Sequence, residues 1–280
     1  MSNVRGKRAV LITGCSSGIG RCTAEVLRDR GYRVFATARR KEDVEELKSL
    51  GFEALVLDLA SSDSIRDAVR QVLDATEGSL YGLFNNGAYG QPGAVEDLSV
   101  EALRAQFETN LFGTHELTRC VIPAMRRQGE GRIIQNSSVL GFAAMKYRGA
   151  YNASKFALEG LTDTLRLELR GSGIHLSLIE PGPIASRFRE NALRKYRDHI
   201  NPVGSPHEAH YAAIEARLVK VGPAAPFTEG PESVARRVVH ALEARRPRVR
   251  YYVTFPTYLF GALKRILPDR AMDWVLNKIN

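Results

Sequence analysis

The feature that most constrains this chain is a rhythm. Short apolar runs alternate with amphipathic stretches from residue 8 to residue 183. The apolar runs, at 8–13, 33–38, 54–59, 80–85, 132–137 and 174–180, are continuous rather than alternating, as in strands buried on both faces. Between them, 19–30, 42–50, 61–76, 100–125 and 150–170 read as helices. Gly31, Gly51 and Gly171 stand at helix ends, and the serine at Ser61 suits a helix start. Regular strand–helix alternation predicts an α/β fold, a doubly wound parallel sheet of Rossmann type in one domain spanning 1–280. After Pro183 the rhythm breaks. Residues 184–229 are polar and irregular, with helices expected near 190–199 and 207–218, and are expected to form a lid. A helix at 231–244, an edge strand at 251–253 and an extension over 251–280 complete the chain.

The first strand runs into Thr13-Gly14-Cys15-Ser16-Ser17-Gly18-Ile19-Gly20. Gly14 permits a tight turn, Gly18 a close approach to a pyrophosphate, and Gly20 close packing of helix on strand. The following helix start offers free N–H groups to phosphates, so Ser16, Ser17 and Ile19 join the expected cofactor site. The second strand ends in Ala38-Arg39-Arg40, where an acid would select NAD. Arginine there holds a 2′-phosphate, so NADP(H) is expected. Asp58 and Leu59 at the end of the third strand border the adenine, and Asn86-Gly87 after the fourth border its ribose. Cys15 reads as a small buried filler rather than a redox thiol.

Tyr151 and Lys155 lie four residues apart, on one face of their helix. A phenol with its ordinary pKa is a poor base at neutrality, but a neighbouring ammonium and an oxidised nicotinamide both favour the phenolate. Bringing it to neutrality takes roughly 4 kcal/mol. Ser138, at the crevice end of the fifth strand, could hold a substrate oxygen. Asn110, within the long helix, could anchor a water that relays protons to Lys155.

Together these residues resemble the short-chain dehydrogenase/reductase family. The motifs are Thr13-Gly14-xxx-Gly18-x-Gly20, Asn85-Asn86, Asn110, Ser138, Tyr151-xxx-Lys155 and Pro181-Gly182, and the likeness covers residues 7–186. The remainder is similar to the branch of 17β-hydroxysteroid and retinol dehydrogenases and bacterial NADP-dependent aldehyde reductases. The resemblance implies that Tyr151 is the general acid/base and that Lys155 binds the nicotinamide ribose and lowers the phenol's pKa. It further implies that Ser138 orients the carbonyl and Asn110 completes the relay. Pro181, Gly182, Ile184 and Ser186 would then meet the carboxamide end of the cofactor. The family usually reads Asn-Asn-Ala-Gly where this chain has Asn85-Asn86-Gly87-Ala88, which puts the local backbone path in question. A homodimer or homotetramer built on the helices 100–125 and 150–170 is implied as well.

Leu140, Phe142, Met145, Tyr147 and Phe188 are expected to line a mostly apolar pocket, suited to a hydrophobic aldehyde, ketone, retinoid or steroid-like substrate. The tail 251–280 mixes aromatic, leucine and basic residues; packing on the domain or on another subunit is favoured over an anionic membrane surface. Lys plus Arg total 40 against 31 acids, yet the basic clusters at 126–127, 236–237 and 245–250 are not interleaved with aromatics, so nucleic acid is not expected as a partner. Cys15, Cys22 and Cys120 show no paired or metal-binding spacing, which suggests a reducing, cytoplasmic compartment and no metal. Residues 1–8 fit no signal peptide, and no apolar stretch is long enough to span a membrane. Two rival classes share parts of the pattern: a non-catalytic NADP(H)-sensing protein and a sugar-nucleotide epimerase. The intact Asn110, Ser138, Tyr151 and Lys155 argue against the first, and the glycine spacing against the second.

Overall fold

A computed structural model describes residues 8–223 and 225–279. The reading of a chain start without a signal peptide falls mostly on residues 1–7, outside the described residues. Seven strands form one sheet: β1 (Ala9–Ile12), β2 (Arg33–Ala38), β3 (Glu53–Val56), β4 (Gly82–Asn85), β5 (Gly131–Asn136), β6 (Ile174–Pro181) and β7 (Arg250–Val253). Their order is β3-β2-β1-β4-β5-β6-β7 and every pairing is parallel. The order reverses between β1 and β4, the place where such a sheet opens a ligand crevice at its carboxyl edge.

Strand pleating sorts side chains onto two buried layers. Val10 and Ile12 pack with α1 (Gly18–Asp29), α2 (Lys41–Ser49) and α9 (Glu232–Glu243) through Leu27, Leu47 and Leu242. Ala9 and Leu11 pack on the opposite face, against α3 (Ser62–Ala75) and α5 (Gly113–Gln128) through Ile65, Val72, Leu117 and Val121. Both faces are therefore covered, which is why the strands read as uninterrupted apolar runs. Ser61 caps α3 by accepting from the Ser64 N–H, and α5 ends on left-handed Gly129.

Two expected boundaries change, and the helices expected after Pro183 fall within two residues of where they were placed. β3 stops at Val56, so Leu57 and Leu59 are buried in the turn that follows rather than in the strand. The predicted helix 100–125 is α4 (Val100–Phe107), a π turn over Glu108–Phe112, and α5, which runs on past Pro123. The π turn contains Asn110, and such turns recur at functional sites. The 184–229 segment forms α7 (Phe188–His199) and α8 (Glu208–Val219), which pack together around Tyr196, Ile200 and Tyr211.

The tail does not project. After β7, which pairs with β6, it forms α10 (Phe255–Ile266) and α11 (Asp269–Ile279). Phe260 and Met272 are buried against Val139, Leu140 and Ala143. The tail thus packs on the domain, while Phe255, Tyr258, Ile266 and Trp274 stay exposed. Among the described residues no helix is long and apolar enough to cross a membrane.

Candidate active site

The glycine turn is shaped by space as much as by backbone freedom. Gly14 and Gly18 have φ of +72° and +57°, in the left-handed region. A Cβ on Gly20 would lie 2.2 Å from the Gly14 carbonyl oxygen, and one on Gly18 would lie 2.9 Å from Ser186 Cβ. Ser17, at the N-cap of α1, makes no side-chain cap, and the first turn carries no acid. The first N–H groups of α1 are thus left to a ligand. Arg21 Nε donates to the Cys15 carbonyl (3.1 Å) and pins the turn. Cys15 itself is fully buried, its thiol pushed up to about 12 by burial, so it is the inert filler that its size suggested.

The neighbouring strand ends are tied to this turn. Thr13 Oγ1 accepts from the N–H groups of Asn86 (2.9 Å) and Gly87 (2.7 Å). Asn86 Nδ2 donates to the Thr13 carbonyl (3.0 Å), and its Oδ1 accepts from Asn136 Nδ2 (3.0 Å). These bonds fix the path that the Gly87-Ala88 order called into question. Neither residue has a positive φ, and a Cβ on Gly87 would stand 3.0 Å from the flexible end of Leu59, a tight but yielding fit. Asn136 was missed in the sequence and Thr13 was read only as the start of the glycine turn, although a polar residue ending a buried strand is a signal for this bracing role. Asp58 lies in the turn after β3, its carboxylate accepting from the Ala60 N–H (3.0 Å).

The two arginines after β2 part company. Arg40 begins α2 and grips Asp43 through both Nε (2.8 Å) and Nη2 (2.7 Å). Arg39 is exposed and has no hydrogen-bond or ion-pair partner among the described residues. Its charge reaches Tyr89, whose phenol burial pushes up to about 12 while Arg39 opposes the rise.

At the other side of the switch point, α6 (Gly149–Glu168) carries Tyr151 and Lys155. Lys155 Nζ donates to the Asn136 carbonyl (2.7 Å) and stands 5.7 Å from the Tyr151 ring centre. The Ser138 hydroxyl donates to the Pro181 carbonyl (3.4 Å) and accepts from the Leu140 N–H (3.1 Å), and it pulls on the Tyr151 phenol. Burial pushes the Tyr151 phenol up to about 12, with Ser138 pulling it down, and burial pushes Lys155 down to about 8. Within the protein alone the tyrosine is thus a neutral acid, because dehydration of the phenolate outweighs the pull of Ser138. Asn110 is buried and its side-chain amide is fully engaged, with Tyr89 N–H (3.2 Å), Tyr89 carbonyl (2.9 Å) and Ser154 Oγ (3.3 Å). It clamps the loop after β4 to α6.

Of the expected wall residues, Leu140, Phe142 and Met145 join Tyr151 in one apolar cluster. Phe188 meets the Tyr151 ring edge-on at 5.4 Å and lies over Gly90, where a Cβ would come within 2.9 Å of it. Tyr147 goes elsewhere: with φ +58° it turns toward the start of α8 and packs on His207 and His210. The cluster's far wall, Phe260, Leu263 and Met272 of α10 and α11, had no sequence signal linking it to Tyr151. Pro181 and Gly182 end β6, where the Gly182 N–H donates to Val253 (3.1 Å); Ile184 bridges to Glu229.

A glycine cradle at the switch point of such a sheet defines a dinucleotide-binding protein of the Rossmann type. The family model for short chain dehydrogenase matches residues 8–197. The Escherichia coli (strain K12) oxidoreductase YbbO is 44% identical over 270 residues, 96% of this chain and 94% of its own length. Retinol dehydrogenase 8 of Homo sapiens is 34% identical over 255 residues, 87% of this chain and 80% of its own. A crystal structure of a short-chain dehydrogenase/reductase from Burkholderia phymatum in complex with NAD matches with TM-score 0.77 and 26% identity, covering 97% of this chain and 95% of that one. The chain belongs to the short-chain dehydrogenase/reductase family and is an oxidoreductase of that family.

Proposed function

We propose that the protein uses NADP(H) to interconvert a hydrophobic carbonyl compound and its alcohol, with Tyr151 as general acid/base. The observation that carries the reading is the convergence of Tyr151, Ser138 and Lys155 on one corner walled by Leu140, Phe142 and Met145. Ser138 holds the substrate oxygen beside the phenol. Tyr151, kept protonated by its burial, donates to that oxygen in the reductive direction. Lys155, anchored on the Asn136 carbonyl, orients the nicotinamide ribose and stabilises the phenolate left behind. Asn110 holds the β4 loop and α6 in register. The nicotinamide, when bound, supplies or accepts the hydride.

Gly14, Ser16, Ser17, Gly18, Ile19 and Gly20 would cradle the pyrophosphate, with Asp58, Leu59, Asn86 and Gly87 around the adenosine. Pro181, Gly182, Ile184 and Ser186 would border the carboxamide. The choice of NADP(H) rests on Arg39, whose guanidinium is unengaged at the end of β2; the Burkholderia phymatum relative holds NAD. Titration should show tighter binding of NADPH than of NADH, and equal affinity would refute the choice. NADPH oxidation should be followed across hydrophobic aldehydes, ketones, retinoids and steroids. Tyr151→Phe should lower turnover by about 100- to 10,000-fold, the usual worth of a positioned proton donor. Undiminished turnover in that variant would overturn the mechanism.

We also infer a homodimer or homotetramer. Phe112, Phe156, Leu161 and Leu167 are exposed along the π turn, α5 and α6 region, an apolar surface that a second copy would cover. A monomer by light scattering at micromolar concentration would refute it. A cytoplasmic location suits the free thiols Cys15, Cys22 and Cys120, and recovery in the membrane pellet on cell fractionation would count against it.

A further inference from the structure

One helical turn beyond Lys155, on the same face of α6, lies Glu159. It belongs to a buried ionic cluster that joins three elements. Arg250 of β7 reaches Glu159 (3.1 Å) and Asp163 (2.6 Å) on α6 through Nη2. Its Nε stands 3.0 Å from Glu180 of β6, a charge contact without hydrogen-bond alignment. Glu180 is fully buried and Glu159 nearly so.

Asp163 is partly exposed and pairs with Arg166 as well as with Arg250, so its charge is met. Glu159 and Glu180 are the buried acids, and they share the Arg250 guanidinium. Glu159 Oε1 and both Glu180 oxygens lack any donor, which a dry interior does not tolerate. One proton held between the two carboxyls supplies a donor where acceptors face each other. Burial pushes Glu180 up, and the charge of Glu159 pushes it further, so Glu180 is the protonated member. Burial pushes Glu159 up as well, but the Ser137 hydroxyl and the Arg250 charge oppose that rise.

We propose that Glu159 and Glu180 share one proton behind the site, and that Glu159, the ionised member, is the counter-charge that keeps Lys155 an ammonium. Glu159 is thus a positioning residue that acts through Lys155; its consequence for turnover rests on the proposed roles of Tyr151 and Lys155, while the charge on Lys155 does not. The groups around the cluster are consistent with this. On α6 they are Tyr151, Lys155, Asp163 and Arg166; from β6, Glu180; from β7, Arg250 and Tyr252, the last near Arg265 of α10. Among the causes acting on Lys155, burial lowers it and the charge of Glu159 opposes that fall.

The test uses the full chain without cofactor or substrate. Lysine labelled with 13C in the side chain is titrated by NMR, with Lys155 assigned by the loss of its signal in Lys155→Arg. The native midpoint is expected near 8. In Glu159→Gln it should fall by about one pH unit, a tenfold loss of proton affinity, with partial return in Glu159→Asp. Glu180→Gln should leave it in place, since that carboxyl is already neutral, and should delete a carboxylic-acid carbonyl stretch from the infrared spectrum at pH 7. An unmoved midpoint in Glu159→Gln, a lowered one in Glu180→Gln, or persistence of the infrared band would overturn the proposal. If Glu159→Gln fails to fold by thermal melt, the two readouts of Glu180→Gln decide alone. Turnover enters separately: the alkaline limb of kcat should move to lower pH in Glu159→Gln with KM unchanged. A static limb beside a shifted NMR midpoint would instead count against the catalytic reading of Lys155.

Discussion

The two sides of the switch point are built by different means. On the β1–β2 side, the cradle is local: a strand, a turn and a helix start within residues 9–29, braced by Thr13 and Arg21. On the β6–β7 side, the wall around Tyr151 gathers α6, the loop after β5, and two helices from the chain's last 26 residues, 255–280. A local device specifies itself through backbone geometry and appears as a motif. A wall made of distant segments is specified only by packing, which any apolar side chain of suitable size can supply. The difference should show in how each side fails.

The largest effect is expected on the assembled side. Phe260 is buried against the loop that carries Leu140. Phe260→Ala should cost about 3–5 kcal/mol of stability by denaturant titration. Cofactor affinity of the fraction still folded should be unchanged. A parallel loss of affinity would show that the two sides are not separable.

Gly20→Ala reverses the pattern. Its Cβ would overlap the Gly14 carbonyl at 2.2 Å, and backbone on both sides gives way reluctantly. A strain of about 3 kcal/mol is expected, carried by the turn that presents the phosphate donors. Calorimetry should find dinucleotide binding lost before the melting temperature falls far. Retained affinity would mean that the cradle tolerates a rearrangement this packing does not suggest.

The same contrast explains what could be read beforehand. The sheet, the glycine cradle and the Tyr151–Ser138–Lys155 group were legible because each follows from periodicity or from fixed spacing. The π turn at Asn110 was not, since its residues continue the helical pattern and only the hydrogen-bond register changes. The end of β3 was overrun because Leu57 and Leu59 are buried without being in the strand. Tyr147 was placed on the wall from its sequence proximity to Tyr151, but a left-handed backbone turns it to His207 and His210. The Glu159–Glu180 pair escaped notice because single acids on a helix and at a strand end ordinarily face water. Its faint signal was a third member, Glu159, in the four-residue series begun by Tyr151 and Lys155.

On the local side a smaller effect separates two adjacent arginines. Arg39→Ala should weaken NADPH by about 10- to 100-fold, the worth of a charge-assisted phosphate contact, and leave NADH nearly unchanged. Arg40→Ala should change neither, because its guanidinium already serves Asp43. Fluorescence titration of both cofactors against both variants gives the answer, and equal losses from the two substitutions would mean that the turn binds phosphate as a diffuse basic patch.

The smallest effect belongs to the contact where α7 meets the assembled wall. Phe188 opens α7, and its ring meets Tyr151 edge-on. Such a pair is worth about 0.5–1.5 kcal/mol, so Phe188→Ala should raise KM for a compact hydrophobic aldehyde by about twofold to tenfold. The space vacated above Gly90 should favour bulkier carbonyl compounds in the same assay. Because the ring touches the phenol but not the cradle, NADPH affinity should stay constant. A fall in kcat for every substrate alike would assign Phe188 to holding Tyr151 in place rather than to sizing the pocket, and would make α7 part of the reacting group.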